Sequence, residues 1–309
     1  MQEGLTPSSF PSFTVLMTVY NGMPYLREAV ESILTQSLRE FVFLVLNNGS
    51  TDGSGEYLAD LEKRRAGARP LLRVRHLPEN IGRTAVLNTG LELVETEVTA
   101  IIDADDVAMP RRLEKQAAFL RDHPEIDLVG SDVTYINSAG RRVGEDSFPA
   151  DHRTLCNRLP LYNQFAHAAC AFRTPAARAV GGYPSEYPYA QDMGLWIAML
   201  RNGSMAGNVR EPLAGIRIHR GQATGEKGLR VARMEDDSRL ADAMFGIPGL
   251  SSASRQAACF RGALALFRLG RKKQAFRQLW RGFWEAPLLL PWNPILWERL
   301  TLERKRGDP

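Results

Sequence analysis

Three carboxylates crowd into four residues, Asp103-Ala104-Asp105-Asp106, directly behind the apolar run Val98–Ile102. Residues two apart on extended backbone point the same way, so Asp103 and Asp105 can face one site. Two hard oxygen donors beside a diphosphate suit Mg²⁺ or Mn²⁺, and such a cation neutralises charge gathering on a departing nucleoside diphosphate. Capping of the helix expected after Pro110 is the structural alternative. It accounts for one aspartate well and for three poorly, and Asp106 fits the cap best.

Other candidates are weaker alone. Asp192 follows Tyr189-Ala190-Gln191 at the start of an expected helix. A carboxylate there can take a proton from a hydroxyl, or simply answer the helix dipole. His219, in Ile216-Arg217-Ile218-His219-Arg220, suits a metal or phosphate, and equally a structural role. Asn47-Asn48 opens a run of turn residues through Gly53. Asparagines form turns readily, but each also offers a donor and an acceptor, matching the edge of uracil or thymine.

What positions these residues is an alternation of elements over 14–135. Thr14–Val19, Phe41–Leu46, Leu71–Leu77, Val98–Ile102 and Asp127–Tyr135 read as strands, rich in β-branched and apolar residues. Helices are expected from Tyr25 to Gln36, over Gly55–Arg65, Thr84–Leu93 and Arg111–Arg121, and again over Gln191–Arg201. A βαβα order implies a mostly parallel, helix-flanked sheet. Ligands of such sheets lie beyond the carboxyl ends of strands, which is where Asn47-Asn48 and Asp103–Asp106 fall. Ala253–Leu269 and Lys272–Trp284, broken at Gly270, suggest an αα-hairpin.

Composition sets the bounds. In 309 residues, 44% hydrophobic and 24% charged, there is apolar material for a sizeable core. Cys156, Cys170 and Cys259 are odd in number and widely spaced, against a disulfide framework or a zinc site, and in keeping with a reducing compartment. Met1–Ser12 has no basic stretch followed by an apolar run, and no apolar run reaches spanning length, so neither a secretory leader nor a membrane span is expected. Residues 251–309 hold 12 Lys/Arg against 4 Asp/Glu, a balance of +8 that leaves −4 for the rest of a chain of net charge +4. Trp280, Trp284, Trp292 and Trp297 lie in the same tail. Together with Arg271, Lys272, Lys273, Arg277 and Arg281 they suit an anionic membrane surface through 271–297; the alternative is that the tryptophans pack the hairpin onto the body.

In order along the chain, the motifs Thr18-Val19-Tyr20-Asn21-Gly22, Asn48-Gly49-Ser50-Thr51-Asp52-Gly53-Ser54, Asn80-Ile81-Gly82 with Leu87-Asn88-Thr89-Gly90, Asp103-Ala104-Asp105-Asp106 with Pro110-Arg111-Arg112-Leu113, Gly181-Gly182-Tyr183, Gln191-Asp192 with Leu195-Trp196, and Arg217-Ile218-His219 resemble those of the family 2 glycosyltransferases. The resemblance runs from Phe13 to Gln222. It implies an α/β, GT-A type, Rossmann-like and mostly parallel sheet flanked by helices, with a helical C-terminal extension. The implied division is a catalytic domain over 1–225, its nucleotide-sugar half about 13–107 and its acceptor half about 108–225, followed by the extension over 226–309.

The resemblance also implies roles. Thr18, Tyr20, Asn47 and Asn48 would surround the nucleoside, Asp52 would support that loop, and Arg83 would lie near the base or diphosphate. Asp103, Ala104 and Asp105 match the nucleotide and metal motif, with His219 reaching the Mn²⁺ or Mg²⁺. Asp192 matches the catalytic base of an inverting transfer of a hexose-type sugar to a glycan or lipid-linked acceptor. Such an enzyme of surface polysaccharide or glycolipid synthesis would be cytoplasmic, peripheral at the inner face of the plasma membrane, with no nucleic-acid partner. Two departures stand out: Asn47-Asn48 where the family usually has two acids, and Gln191 for the usual Glu. The first disfavours guanine, which shows only donors beside its O6, and leaves UDP favoured and dTDP open. It also keeps alive a nucleotide-sugar-binding protein without transferase activity. A nucleotidyltransferase fits poorly, because Tyr20-Asn21-Gly22-Met23-Pro24 stands where a basic, glycine-rich phosphate loop would be.

Overall fold

The computed structural model describes residues 11–221 and 229–286. In chain order the elements are β1 (Phe13–Val19), α1 (Leu26–Leu34), β2 (Phe41–Asn48), α2 (Ser54–Arg64), β3 (Leu71–Leu77), α3 (Arg83–Leu93), β4 (Val98–Asp103), β5 (Val107–Ala108), α4 (Arg112–Asp122), β6 (Ile126–Asn137), β7 (Arg142–Asp146), α5 (His152–Arg158), β8 (Ala171–Arg173), α6 (Thr174–Ala179), α7 (Gln191–Arg201), β9 (Met205–Ile218), α8 (Leu229–Met244), α9 (Ser252–Arg268) and α10 (Lys272–Glu285). A single 3₁₀ turn, His167–Ala169, precedes β8.

Among the described residues the strands form one sheet in the order β3-β2-β1-β4-β8-β6-β9-β5, with β7 on β6. The long pairings are parallel: β1 with β2 and β4, β2 with β3, and β6 with β9. The antiparallel ones are shorter: β4 with β8, β8 with β6 and β5 with β9 join two or three residues each, and β7 joins β6 over four. The chain leaves β1 for β2 on one side and returns to it as β4 on the other, so the sheet order reverses beside β1. That reversal opens a crevice at the strands' carboxyl ends. Register sets Thr18 beside Asp103, and Val19 beside Asn47.

The apolar runs are buried on both faces, with strict two-residue alternation. Phe13, Val15, Met17, Phe43, Val45, Ala100 and Ile102 pack with α1, α2 and α4 on one face. Leu16, Leu44, Leu46 and Ile101 pack with α3 and α7 on the other. In α1, the expected helical face of Leu26, Ala29, Val30, Ile33 and Leu34 is the buried one. Each such side chain taken wholly from water contributes about 1.5–3 kcal/mol, which makes the strand ends rigid platforms.

The helical tail departs from one expectation. The α9–α10 hairpin forms around Gly270, at φ 74°, but its aromatic side chains do not fasten it to the body. The inner face of α10 is built from Ala275 and Gly282, and a β-carbon on Gly282 would stand 2.9 Å from that of Cys259 in α9. Small residues let the two backbones close up, so the large ones point outward: Trp280 is 50% and Trp284 72% exposed. Trp292 and Trp297 lie outside the described residues. Among the described residues no helix is long and apolar enough to cross a membrane.

Candidate active site

The crevice at the sheet reversal is a cleft of about 990 Å³. Eight of the residues singled out from sequence line it: Thr18, Tyr20, Asn48, Arg83, Asp103, Ala104, Asp105 and His219. Asn47, Asp52 and Asp192 do not.

One wall is two loops laced together by side chains. The N–H groups of Asn21, Gly22 and Met23 donate to Ser50 Oγ at 3.0 Å, Ser54 Oγ at 3.1 Å and Asp52 Oδ2 at 2.8 Å. Asn21, held at a left-handed φ of 52°, accepts in return from Thr51 N at 2.9 Å. This lacing is why short hydroxylated and acidic residues follow Asn48. Burial pushes the Asp52 carboxyl up, but hydrogen bonds from the Ser54 hydroxyl and from the N–H groups of Met23 and Ser54 hold it below the ordinary value. Gly49 closes the turn at φ +72°, where a β-carbon would stand 2.5 Å from the carbonyl carbon of Glu79. Asn47 takes a different part from the expected one. It is 5% exposed, shares a hydrogen bond of 3.1 Å with His76 Nδ1 and accepts from Ser50 N. Asn48 reaches the cleft, but its amide bonds Asn80 Oδ1 at 2.9 Å and Ile81 N at 3.0 Å. Both asparagines thus set the turn that frames this end of the cleft.

Beside these loops lies the Asp103–Asp106 segment, where β4 ends and the chain turns into β5; a β-carbon on Gly22 would stand 3.5 Å from that of Ala104. Its three acids go three ways. Asp105 Oδ2 meets His219 Nε2 at 2.9 Å. The N–H of Gly221 donates to His219 Nδ1 at 3.2 Å, which leaves Nε2 to donate to Asp105. Asp103 Oδ1 instead faces His167 Nδ1 at 3.5 Å. Burial pushes the Asp103 carboxyl up, and the adjoining His167 ring, with Arg83 and Arg112, more than offsets it. Asp106 does not cap the following helix, which starts at Arg112 with no side-chain cap. It is buried and accepts from Arg217 N at 2.7 Å. Burial, then the charges of Asp103 and Asp105, push its carboxyl well up.

Two buried arginines hold this segment. Arg217 donates from Nε to the Asp105 carbonyl at 2.8 Å, and from its terminal nitrogens to Asn137 O at 3.2 Å and Glu28 Oε2 at 2.6 Å, its guanidinium lying over Tyr25. Arg112 ties Ile101 O at 2.7 Å to Cys170 O at 3.0 Å, and burial lowers its pKa to about 10. The sequence motifs contained both, but nothing in their spacing said that they act on main chain beneath the acids.

The expected metal set of Asp103, Asp105 and His219 is not gathered in one place: among the described residues no three His, Cys, Asp or Glu side chains are grouped to hold a metal. Asp105 and His219 form a two-donor pair, and two protein donors completed by substrate phosphate are a usual Mg²⁺ arrangement. Asp192, in the first turn of α7, accepts from Asn163 Nδ2 at 2.8 Å. It bears on the Tyr183 phenol, which burial pushes up well above its ordinary value, followed by the charges of Cys170, Asp192 and Asp103. His167 and Tyr135, both lining the cleft, were missed by sequence reasoning. His167 lies in 136–225, where no periodicity marks it, and Tyr135 was read only as the end of a strand.

Comparison with known proteins places this geometry. A model of the family described as Glycosyl transferase family 2 matches residues 14–179, more than half of the chain. The chain is 27% identical over 225 residues to the amylovoran biosynthesis glycosyltransferase AmsE of Erwinia amylovora, covering 72% of this chain and 82% of that one. It is 25% identical over 237 residues to the UDP-Gal:alpha-D-GlcNAc-diphosphoundecaprenol beta-1,3-galactosyltransferase of Escherichia coli, covering 73% and 81%. Among solved structures, S. aureus TarS 1-349 in complex with UDP-GlcNAc has the same fold, with TM-score 0.63 at 18% identity over 88% of this chain and 79% of that one.

Proposed function

The chain belongs to glycosyl transferase family 2 and is a glycosyltransferase, and from that premise we propose that it moves a hexose from a nucleotide sugar, a UDP-sugar ahead of a dTDP-sugar, to a glycan or lipid-linked acceptor with inversion. The observation that carries this reading is the Asp105–His219 pair and the laced loops lining one cleft at the sheet's reversal point. Two related proteins support the donor and the acceptor: one is named for UDP-Gal and a diphosphoundecaprenol substrate, the other was solved with UDP-GlcNAc.

In this reading residues 1–225 are the catalytic domain, with 13–107 holding the donor and 108–225 the acceptor. Thr18, Tyr20, Asn48, Arg83 and Ala104 surround the nucleotide, while Asn47 and Asp52 keep their loop in shape. Asp105 and His219 would hold Mn²⁺ or Mg²⁺. Bound there, the cation supplies Lewis-acid neutralisation of the diphosphate. Asp192 accepts the acceptor's hydroxyl proton; Asn163 binds one carboxylate oxygen and leaves the other for that proton. The hydroxyl oxygen bonds to the anomeric carbon from the face opposite the diphosphate, and the breaking C–O bond leaves its electron pair on the nucleoside diphosphate. Calorimetry with UDP and Mn²⁺, run beside a donor-hydrolysis assay, tests the reading. Binding and turnover together support it; binding with no turnover on any donor favours a nucleotide-sugar-binding protein.

A peripheral site at the inner face of an anionic membrane accompanies a lipid-linked acceptor. The support is α10, whose outer stripe of Phe276, Leu279, Trp280, Phe283 and Trp284 is open to solvent. Lys272, Lys273 and Arg277 flank it, with no acidic partner among the described residues. An exposed apolar stripe edged by cations matches a helix lying in a headgroup layer.

A further inference from the structure

The two outer acids of the Asp103–Asp105 motif have a histidine each. Asp105 has His219; Asp103 has His167. What fixes His167 is unusually complete. Its ring is 12% exposed, packs against Trp196 at 6.2 Å between centroids, and meets the Tyr183 hydroxyl through Nε2 at 3.1 Å. Tyr183 is 1% exposed and clamped on both main-chain atoms by Asn88, which accepts from Tyr183 N at 2.8 Å and donates to Tyr183 O at 2.8 Å. Gly182 permits that clamp: at φ +75° it passes so close to Asn88 that a β-carbon would stand 2.6 Å from Oδ1.

Donor and acceptor roles run one way through this chain. The buried Tyr183 phenol keeps its proton and donates to Nε2, so Nδ1 carries the ring proton on the side that faces Asp103 Oδ1 at 3.5 Å. Asp103 Oδ2 meets no donor among the described residues, and Asp103 lines the cleft. We propose that His167, set by Tyr183, is a positioning residue that turns the Asp103 carboxylate out of the cation pair and presents its second oxygen to hydroxyls of the nucleotide sugar. The motif is then divided: Asp105 with His219 serves the cation, Asp103 with His167 serves the donor's hydroxyls. This inference rests on the proposed transferase reading.

The test is a KM-against-kcat split combined with cation binding. His167→Phe keeps an aromatic ring against Trp196 and removes both nitrogens; His167→Asn returns a donor near the Nδ1 position; Tyr183→Phe removes only the hydroxyl. Mn²⁺ binding is followed by electron paramagnetic resonance without nucleotide. Donor affinity and KM are measured with UDP-GlcNAc and UDP-galactose. The expected result for His167→Phe is a rise of about tenfold in donor KM and dissociation constant, the scale of one lost polar partner of a carboxylate. Its kcat should stay within about threefold and Mn²⁺ affinity within about twofold, with most of the loss recovered in His167→Asn. Tyr183→Phe should shift donor affinity in the same direction by a smaller factor. Unchanged donor affinity in His167→Phe, or equal weakening of Mn²⁺ and donor, overturns the proposal. If His167→Phe fails to fold, Tyr183→Phe decides: no loss of donor affinity overturns it. A wild-type protein that binds neither nucleotide sugar with Mn²⁺ defeats the proposed UDP-sugar donor instead.

Discussion

Replacing Arg217 with methionine isolates the part of the site that is held through main chain. Methionine keeps the apolar stem and loses the guanidinium, which in the native protein bonds Asp105 O, Asn137 O and Glu28. The three losses are unequal. Glu28 is 56% exposed and regains water, so its ion pair contributes little. The carbonyls of Asp105 and Asn137 are part-buried, and each left unpaired costs about 1–3 kcal/mol. Removing a 1% exposed charge also removes its own desolvation penalty. The net expectation is a loss of about 2–4 kcal/mol, or a fall in melting temperature of about 4–12 °C for a domain of this size. Thermal unfolding by circular dichroism reads the first effect. Calorimetric Mn²⁺ titration in the presence of UDP reads the second, a weakening of about tenfold as the Asp105 main chain loosens. Arg217→Lys, with one donor centre in place of a fork, should fall between. A methionine variant that melts within about 2 °C of wild type and binds Mn²⁺ equally well would refute the clamp.

The other predictions concern separate pieces of the site. Asp192→Asn should lower kcat with acceptor by about 10²–10⁴ while donor affinity stays within about twofold; unchanged turnover removes Asp192 from the chemistry. Gly49→Ala, forced into left-handed backbone against the Glu79 carbonyl, should lose about 1–3 kcal/mol in denaturant unfolding. The Asp52 carboxyl is depressed in the folded protein, so its contribution is present above the unfolded value of about 3.9 and lost as pH falls through the lower folded one. The stability gap between wild type and Asp52→Asn should therefore be widest near neutral pH and close on acidification. Trp280→Glu with Trp284→Glu should abolish flotation with anionic liposomes and leave turnover on a water-soluble acceptor unchanged; flotation equal to wild type dismisses the α10 surface.

The sheet and the crevice were legible because they follow from period and position. Continuous apolar runs such as Phe41–Leu46 marked strands buried on both faces, and acids at the end of Val98–Ile102 marked a site. Asp105 and His219 came together as the motif order implied. The roles of Asn47 and Asp106 were not legible, since a turn asparagine and a strand-end aspartate look the same whether they face a ligand or a neighbouring peptide group. His167 was invisible for another reason: a 3₁₀ turn has no periodicity to read, and only the fold brings it to Asp103. In the tail, composition gave tryptophans and cations but not their facing, which was decided by Ala275 and Gly282 on the inner side.

The reach of β9 bears on how the enzyme comes into being during synthesis. His219 lies 114 residues after Asp105 in the chain, and Arg217 lies 112 after it. At ribosomal rates of about 5–20 residues per second, roughly 6–23 seconds separate the emergence of Asp105 from that of its imidazole partner. During that interval β1 to β4 have everything they need to pair, yet the two-donor pair does not exist. Under the proposed function, cation capture would wait until β9 has joined the sheet, and a nascent or truncated chain ending before Arg217 would carry the crevice of β1 to β4 with neither clamp nor histidine.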